Sequence, residues 1–379
     1  MKIILTVESY APLKNGVQEI TQSYAEYLAK RHDVTVITRV VNNTDEVEVL
    51  NGVKIIRINV YTKKSIYHGE IDKYRQLISD LCMNADVMIN VCTQNAFTDC
   101  ILKDLSSLPC KKILYLHGIA HFSFPSISRV DIHDVLSWGL NVVRWKSFYK
   151  LNQKHFRKYD AIIHLHKDDN SFTMCKMLGI RNEVFENVAC DQPEMPGSTD
   201  RTAPYIMIAN YLHDKNQELA IRGYFRSKSH RGLIFVGSSN SRYLNKLKKL
   251  VSKLEVHTDH QGEIVFVVNE PHKTTMARLQ KAYAMILSSK SEKYPVVICE
   301  AMKAAVPFIA TDTGIIRKLP GGLIFKNEFE LCEKINWLEN NPTKRNLLAN
   351  ECKRYSEENQ NLKVNQIRFE KLIKDIVMT

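Results

Sequence analysis

A chain of 379 residues with a formal net charge of +12, 44% hydrophobic and 25% charged residues is too long for one ordinary core and too apolar for a disordered or fibrous protein, so two globular domains are expected. Nine cysteines, odd in number and never spaced Cys-x-x-Cys, argue against a disulfide framework and a zinc knuckle and read as reduced, mostly buried thiols. The basic excess suits nucleic acid, an anionic membrane surface or phosphorylated substrates equally, and composition does not choose among them.

The opening "MKIILTVESYAP" has only a short apolar run before Glu8, which is not the h-region of a secretory signal. No later stretch approaches the roughly eighteen apolar residues of a spanning helix, so a cytoplasmic protein is expected. "KIILTV", the helical "EITQSYAEYLAKRH" and "DVTVIT" form a βαβ unit. The runs "VKIIRI", "ADVMINV", "KKILYLHG" and "YDAIIHLH" then recur between helical stretches, which predicts a parallel, doubly wound sheet.

Residues 144–158, "RWKSFYKLNQKHFRK", carry six basic residues and no acid among several aromatics. The favoured reading is a helix whose aromatics pack inward beneath a solvated basic face; the second is peripheral contact with an anionic membrane. His164 and His166 share a strand face but have no further ligand at metal spacing, so no metal is expected there.

"DQPEMPGSTDRTAP", residues 191–204, concentrates Pro, Gly, Ser and Asp and marks a linker. A second alternation follows, with strand runs "YIMIAN", "GLIFVG", "EIVFVV", "YAMILSS" and "VPFIATD" separated by helical patterns. The end of the chain is polar and helical. The expected fold is therefore α/β, two tandem Rossmann-like domains over 1–190 and 205–355 with a cleft between them. A helical segment over 356–379 is expected to pack back across both.

Signatures of dinucleotide, P-loop, zincin and hydrolase chemistry are missing: there is no G-x-G-x-x-G, G-x-x-x-x-G-K-[ST], H-E-x-x-H or G-x-S-x-G. Nor is there an Asp-x-Asp to anchor a metal beneath a diphosphate. The stretch "SSKSEKYPVVICEAMKAAVPFIATDTG" offers other means. Pro295 suits the first turn of a helix "PVVICEAMKAA" after the strand "YAMILSS". Glu292 then lies in the strand-to-helix loop and Glu300 about one and a half turns into the helix. The two carboxylates can reach one ligand from its two ends while the free N–H groups of Val296 and Val297 face an anion. An isolated pair of glutamates at this spacing is more often surface charge, so the surroundings decide.

Those surroundings resemble glycosyltransferase family 4. Glu292, Glu300, Ala301, Met302, Pro307, Ala310 and Thr311 stand where the family carries its Glu, seven residues, second Glu, Ala-Met and "G-x-P-V-x-A-T" strand, with Ser289 at the family's Ser before the loop. "ESYAPLKNGVQEITQSYAEYLAKRHDVTVIT" resembles the family's opening, "LYLHG" the strand end that carries a His near the sugar, and "MIANYLHDKNQELAIRGYF" the start of the second domain.

The resemblance implies the two-Rossmann (GT-B) fold and a retaining, metal-independent hexosyltransferase-like enzyme without a cofactor. Its donor would be a nucleotide sugar and its acceptor a glycan or lipid-linked glycan, in cell-surface polysaccharide or glycoconjugate synthesis, with the first domain on the acceptor side. The roles implied are catalytic for Glu292, Lys215 and His117, and donor-binding for Gly16, Asn210, Lys215, Ser289, Glu292, Val296, Val297 and Glu300. Glu292 would contact the donor sugar, Glu300 the ribose hydroxyls and Lys215 the phosphates, with Gly16 letting backbone approach the diphosphate.

Three departures stand out. Asn210 occupies the place of a family Arg, Val17 that of a second Gly, and Ala305 that of another Gly. Asn210 and Val17 keep open a catalytically silent sugar-nucleotide- or glycan-binding relative that supports a partner enzyme, and a GT-B sugar-nucleotide 2-epimerase is a further alternative. Nucleic-acid binding is not expected, because no stacking or helix-turn-helix signature accompanies the charge.

Overall fold

The computed structural model describes residues 1–13, 15–63, 65–119, 132–176, 178–190, 202–238, 240–258 and 260–379. Most of the linker expected over 191–204 lies outside them. The chain divides into two compact units, the first ending at Cys190 and taking in Leu362–Thr379 from the far end, the second lying mainly within Asp191–Asn361.

The first unit is built on β1 (Lys2–Thr6), β2 (Asp33–Arg39), β3 (Val47–Leu50), β4 (Val53–Ile58), β5 (Val60–Lys63), β6 (Ile66–Gly69), β7 (Val87–Val91), β8 (Lys111–Tyr115), β9 (Ala161–His164) and β10 (Arg181–Val184). Its helices are α1 (Gly16–Ala29), α2 (Ile71–Cys82), α3 (Ala96–Asp99), α4 (Ile132–Phe156) and α5 (Asn170–Lys176). Eight strands form one sheet in the order β10-β9-β8-β7-β1-β2-β4-β3. All pairs are parallel except β3 on β4. β5 and β6 make a separate antiparallel hairpin. The central strands read as unbroken apolar runs because helices cover both faces; β7 is buried at every residue.

The second unit has β11 (Tyr205–Ile208), β12 (Leu233–Gly237), β13 (Ile264–Val268), β14 (Ala284–Leu287), β15 (Phe308–Thr311) and β16 (Gly322–Phe325). They pair in parallel in the order β13-β12-β11-β14-β15-β16. Its helices are α6 (Gln217–Arg226), α7 (Arg242–His257), α8 (His272–Gln280), α9 (Val296–Lys303), α10 (Glu328–Asn340) and α11 (Pro342–Asn359). The five strand runs expected after the linker are β11 to β15. Both sheets have the doubly wound topology in which the strand order reverses at one point, between β1 and β7 and between β11 and β14. The loops leaving the carboxyl ends of those strands are where such sheets bind ligands.

A last helix, α12 (Leu362–Met378), returns to the first unit. Phe369, Leu372, Ile373 and Ile376 are buried, with the Phe369 ring 4.6 Å from that of Tyr24 on α1. Gln366 donates to the Ser23 carbonyl at 3.2 Å and Asn365 to that of Glu186 at 3.2 Å.

Candidate active site

In the second unit, two loops are laced together at the point where the strand order reverses. Ser288, just past β14, donates its hydroxyl to the carbonyls of Asn216 at 2.8 Å and Lys215 at 3.2 Å, and the Lys290 amide donates to the Asp214 carbonyl at 2.7 Å. Asn216 turns the chain into α6 with a φ of 51°, a left-handed conformation that Asn tolerates better than most residues. These bonds hold Lys215 over the β14–α9 loop. Its ammonium donates to Glu292 at 2.8 Å, with the two side chains 25% and 14% exposed. A partly dry, charge-assisted contact of this kind fixes both groups.

The Glu292 loop is backed by the one after β15. Gly314 has a φ of +56°, and a Cβ there would lie 2.3 Å from the Lys293 carbonyl and 2.6 Å from that of Glu292. The Ile315 amide donates to the Lys293 carbonyl at 3.0 Å. Ser289 is fully buried, and its hydroxyl has no hydrogen-bond partner among the described residues.

Pro295 is the N-cap of α9 rather than a residue of its first turn, because its ψ of 122° is extended. No side chain caps this end. The Pro295 carbonyl takes the Ile298 amide at 3.1 Å and the Cys299 amide at 3.5 Å, and the amides of Val296 and Val297 precede any intrahelical acceptor. Glu300 is buried one turn further on, with its carboxylate 3.6 Å from Nε2 of His272, the first residue of α8. Asn210 is committed elsewhere: its side-chain oxygen accepts from the Ser238 amide at 3.2 Å and hydroxyl at 2.5 Å, tying the β11 loop to the end of β12.

Gly16 and His117 belong to the first unit. Gly16 opens α1 behind Asn15, whose side chain caps the helix by accepting from the Gln18 amide; its backbone is helical. His117 follows β8 with its ring stacked 4.5 Å from that of Tyr115. Burial holds its pKa down to about 4, so the imidazole is neutral near pH 7.

Around the β1/β7 reversal stand residues that the sequence did not single out. Glu8 accepts from the Thr62 amide at 2.9 Å and hydroxyl at 3.0 Å. Asp99 accepts from Thr93 at 2.7 Å and Tyr67 at 2.5 Å. Burial pushes the Asp99 pKa up to about 7, although these donors oppose the shift. The intervening loop is strained, with Cys92 and Gln94 at φ of 64° and 65°, a feature that clusters at ligand sites. The visible signal was the polar run "TQNAFTDC" directly after an apolar strand.

His164 is structural: its ring nitrogens meet Ser171 at 2.9 Å and Asn182 at 2.8 Å. In α4, Trp145, Tyr149 and Phe156 are buried in the core of the first unit, while Lys146, Lys150 and Lys154 are exposed. These aromatics pack inward beneath a basic face, as the favoured reading of the stretch expects. No helix among the described residues is long and apolar enough to cross a membrane.

Residues 192–361 match the model of the family described as Glycosyl transferases group 1. The chain is 28% identical over 137 residues to the alpha-1,3/1,6-mannosyltransferase ALG2 of Kluyveromyces lactis, a match covering 29% of this chain and 27% of that protein. It thus spans about a quarter of that relative's length. Among solved structures, sucrose-phosphate synthase from Thermosynechococcus elongatus superposes with a TM-score of 0.76 at 13% identity, over 99% of this chain and 98% of that one. Anabaena Alr3699/HepE in complex with UDP gives 0.69 at 13% identity, over 99% and 100%. The family match thus covers the second unit, and the chain shares the GT-B fold of these solved structures.

Proposed function

We propose that the protein transfers a sugar from a nucleotide-diphosphate donor to a glycan or lipid-linked glycan acceptor, with retention of anomeric configuration, without a required metal, and in polysaccharide or glycoconjugate synthesis. The observation that carries this reading is the Lys215–Glu292 contact of 2.8 Å beside the uncapped start of α9. Breaking the bond between the sugar and the diphosphate leaves growing negative charge on the departing oxygen. Lys215 and the amides of Val296 and Val297 are fixed donors for that charge. On this reading Glu292 orients Lys215 and accepts from sugar hydroxyls, while Glu300, buried and set against His272, accepts from the ribose. The buried Ser289 hydroxyl is a further group that a donor could satisfy. His117, being neutral, can supply a hydrogen bond and no charge. The complex of HepE with UDP and the mannosyltransferase relative support the substrate class.

The first test measures nucleotide release from a panel of UDP- and GDP-sugars, with and without EDTA. Lys215→Ala is expected to lower turnover by about two orders of magnitude, and the coupling constant of the product's anomeric proton should match the donor's. Unchanged turnover in the variant would remove Lys215 from the mechanism, and abolition by EDTA would overturn metal independence. Asn210 favours one second reading. With its side chain bonded to Ser238 it adds no cation, as a silent sugar-nucleotide-binding relative would allow; nucleotide binding without turnover on every plausible acceptor would favour that reading.

A further inference from the structure

The 25-residue helix α4 is apolar on two opposite sides. Its inner side carries Trp145, Tyr149 and Phe156 into the core. At about 100° per residue, Leu140, Val143, Ser147, Leu151 and Lys154 run down the opposite side at helical spacing. Leu140 is 74% exposed, Val143 66% and Leu151 75%. Single exposed apolar residues are ordinary; these three lie on one line and form a stripe. Arg144, Lys146, Lys150, Lys154, Arg157 and Lys158 are all exposed around this line, and no acid occurs between Val135 and Lys158.

We propose that this outer face of α4 docks on an anionic lipid bilayer. The helix would lie in the plane of the membrane surface, with Leu140, Val143 and Leu151 at the boundary between headgroups and acyl chains and the lysines reaching up to the phosphates. The apolar line decides between occupants. A nucleic acid backbone rewards the cations and gives nothing for the leucines, and protein interfaces are depleted in the lysines that carry most of this face's charge. A bilayer uses both, and the stretch from Leu140 to Lys154, about 21 Å long, is ample for an interfacial segment. The surface lies wholly in the first unit and does not depend on the transfer reaction assigned above.

Co-sedimentation of the full chain with phosphatidylcholine vesicles, alone or mixed with phosphatidylglycerol, tests it. The protein should pellet with the mixed vesicles, not with the neutral ones, and less so as salt is raised. Lys146→Gln, Lys150→Gln and Lys154→Gln together should lower the partition coefficient about a hundredfold, and Leu140→Ser with Leu151→Ser about tenfold or more. All five side chains are exposed, so unchanged thermal melting should show that both variants fold. Equal pelleting with neutral and anionic vesicles, or undiminished binding by either variant, would overturn the proposal. So would duplex DNA binding without vesicle binding, or a dimer abolished by the two Leu→Ser changes in a chain that ignores vesicles.

Discussion

The docking of α12 on the first unit can be tested through Glu370. This side chain is 7% exposed and faces three basic groups: Lys374 at 2.7 Å, Arg31 at 2.8 Å and His32 at 3.2 Å. Burial by itself would raise its pKa, but hydrogen bonds from Lys374 and His32 outweigh that and hold the carboxyl at about 2, against an ordinary 4.5. At 1.36 kcal/mol per unit, a shift of that size sets a ceiling of about 3 kcal/mol. Arg31 and Lys374 are 59% and 43% exposed, so solvent screens much of their attraction and about 1–2 kcal/mol is the reasonable expectation.

The sign follows from the depressed pKa. The contribution is complete above about pH 5, where the carboxyl is ionised in folded and unfolded chains alike, and it drains away as pH falls toward 2. Glu370→Gln should therefore cost about 1–2 kcal/mol in urea unfolding at neutral pH, and the gap from the parent should close as the solution is acidified. Hydrogen exchange should quicken first in α12. A difference between the two proteins that stayed constant from neutral pH down to about 3 would refute the charge argument and leave only packing.

Two further substitutions probe loops near the candidate site. Ala305 follows α9 at a φ of +53°, with its amide bonded to the Met302 carbonyl and that of Val306 to Ala301, a helix end that glycine suits. Ala305→Gly should therefore stabilise the protein by about 0.5–1 kcal/mol in thermal or urea unfolding. Gly314→Ala should cost about 2–3 kcal/mol in the same assay, from a positive φ and an overlap with the Glu292 and Lys293 carbonyls, and should raise the KM for donor by shifting Glu292.

The strands were legible because parallel sheets bury both faces and so write their strands as continuous apolar runs; "ADVMINV" and "YAMILSS" became β7 and β14. The β5–β6 hairpin was not, since Val60–Lys63 and Ile66–Gly69 are short, mixed in polarity and outside the main sheet. Within the site, the Glu292–Glu300 spacing was local and could be placed on a loop and a helix from the sequence. The partnership of Lys215 with Glu292 spans 77 positions and depends on β11 lying beside β14, which no local pattern encodes; the family resemblance nominated the two residues separately and not their contact. His272, Gly314 and Ser288 are single residues whose importance comes from what folds against them. The α4 aromatics were legible as a group, but their direction was not, because both sides of that helix are apolar.

The replacement of a family Arg by Asn210 gains a physical meaning from the geometry. Asn210 is no vacant stump, since it bridges the ends of β11 and β12 through Ser238. Where the resemblance implies a charge, this chain holds a clasp. On the proposed reading, a diphosphate would meet Lys215, already bonded to Glu292, and the N-terminal amides of α9, whose partial charge of roughly half a unit cannot replace a guanidinium. Because Lys215 has several protons to donate, it can keep Glu292 while meeting a phosphate oxygen. Glu292 would then hold the lysine in place during charge development rather than compete for it.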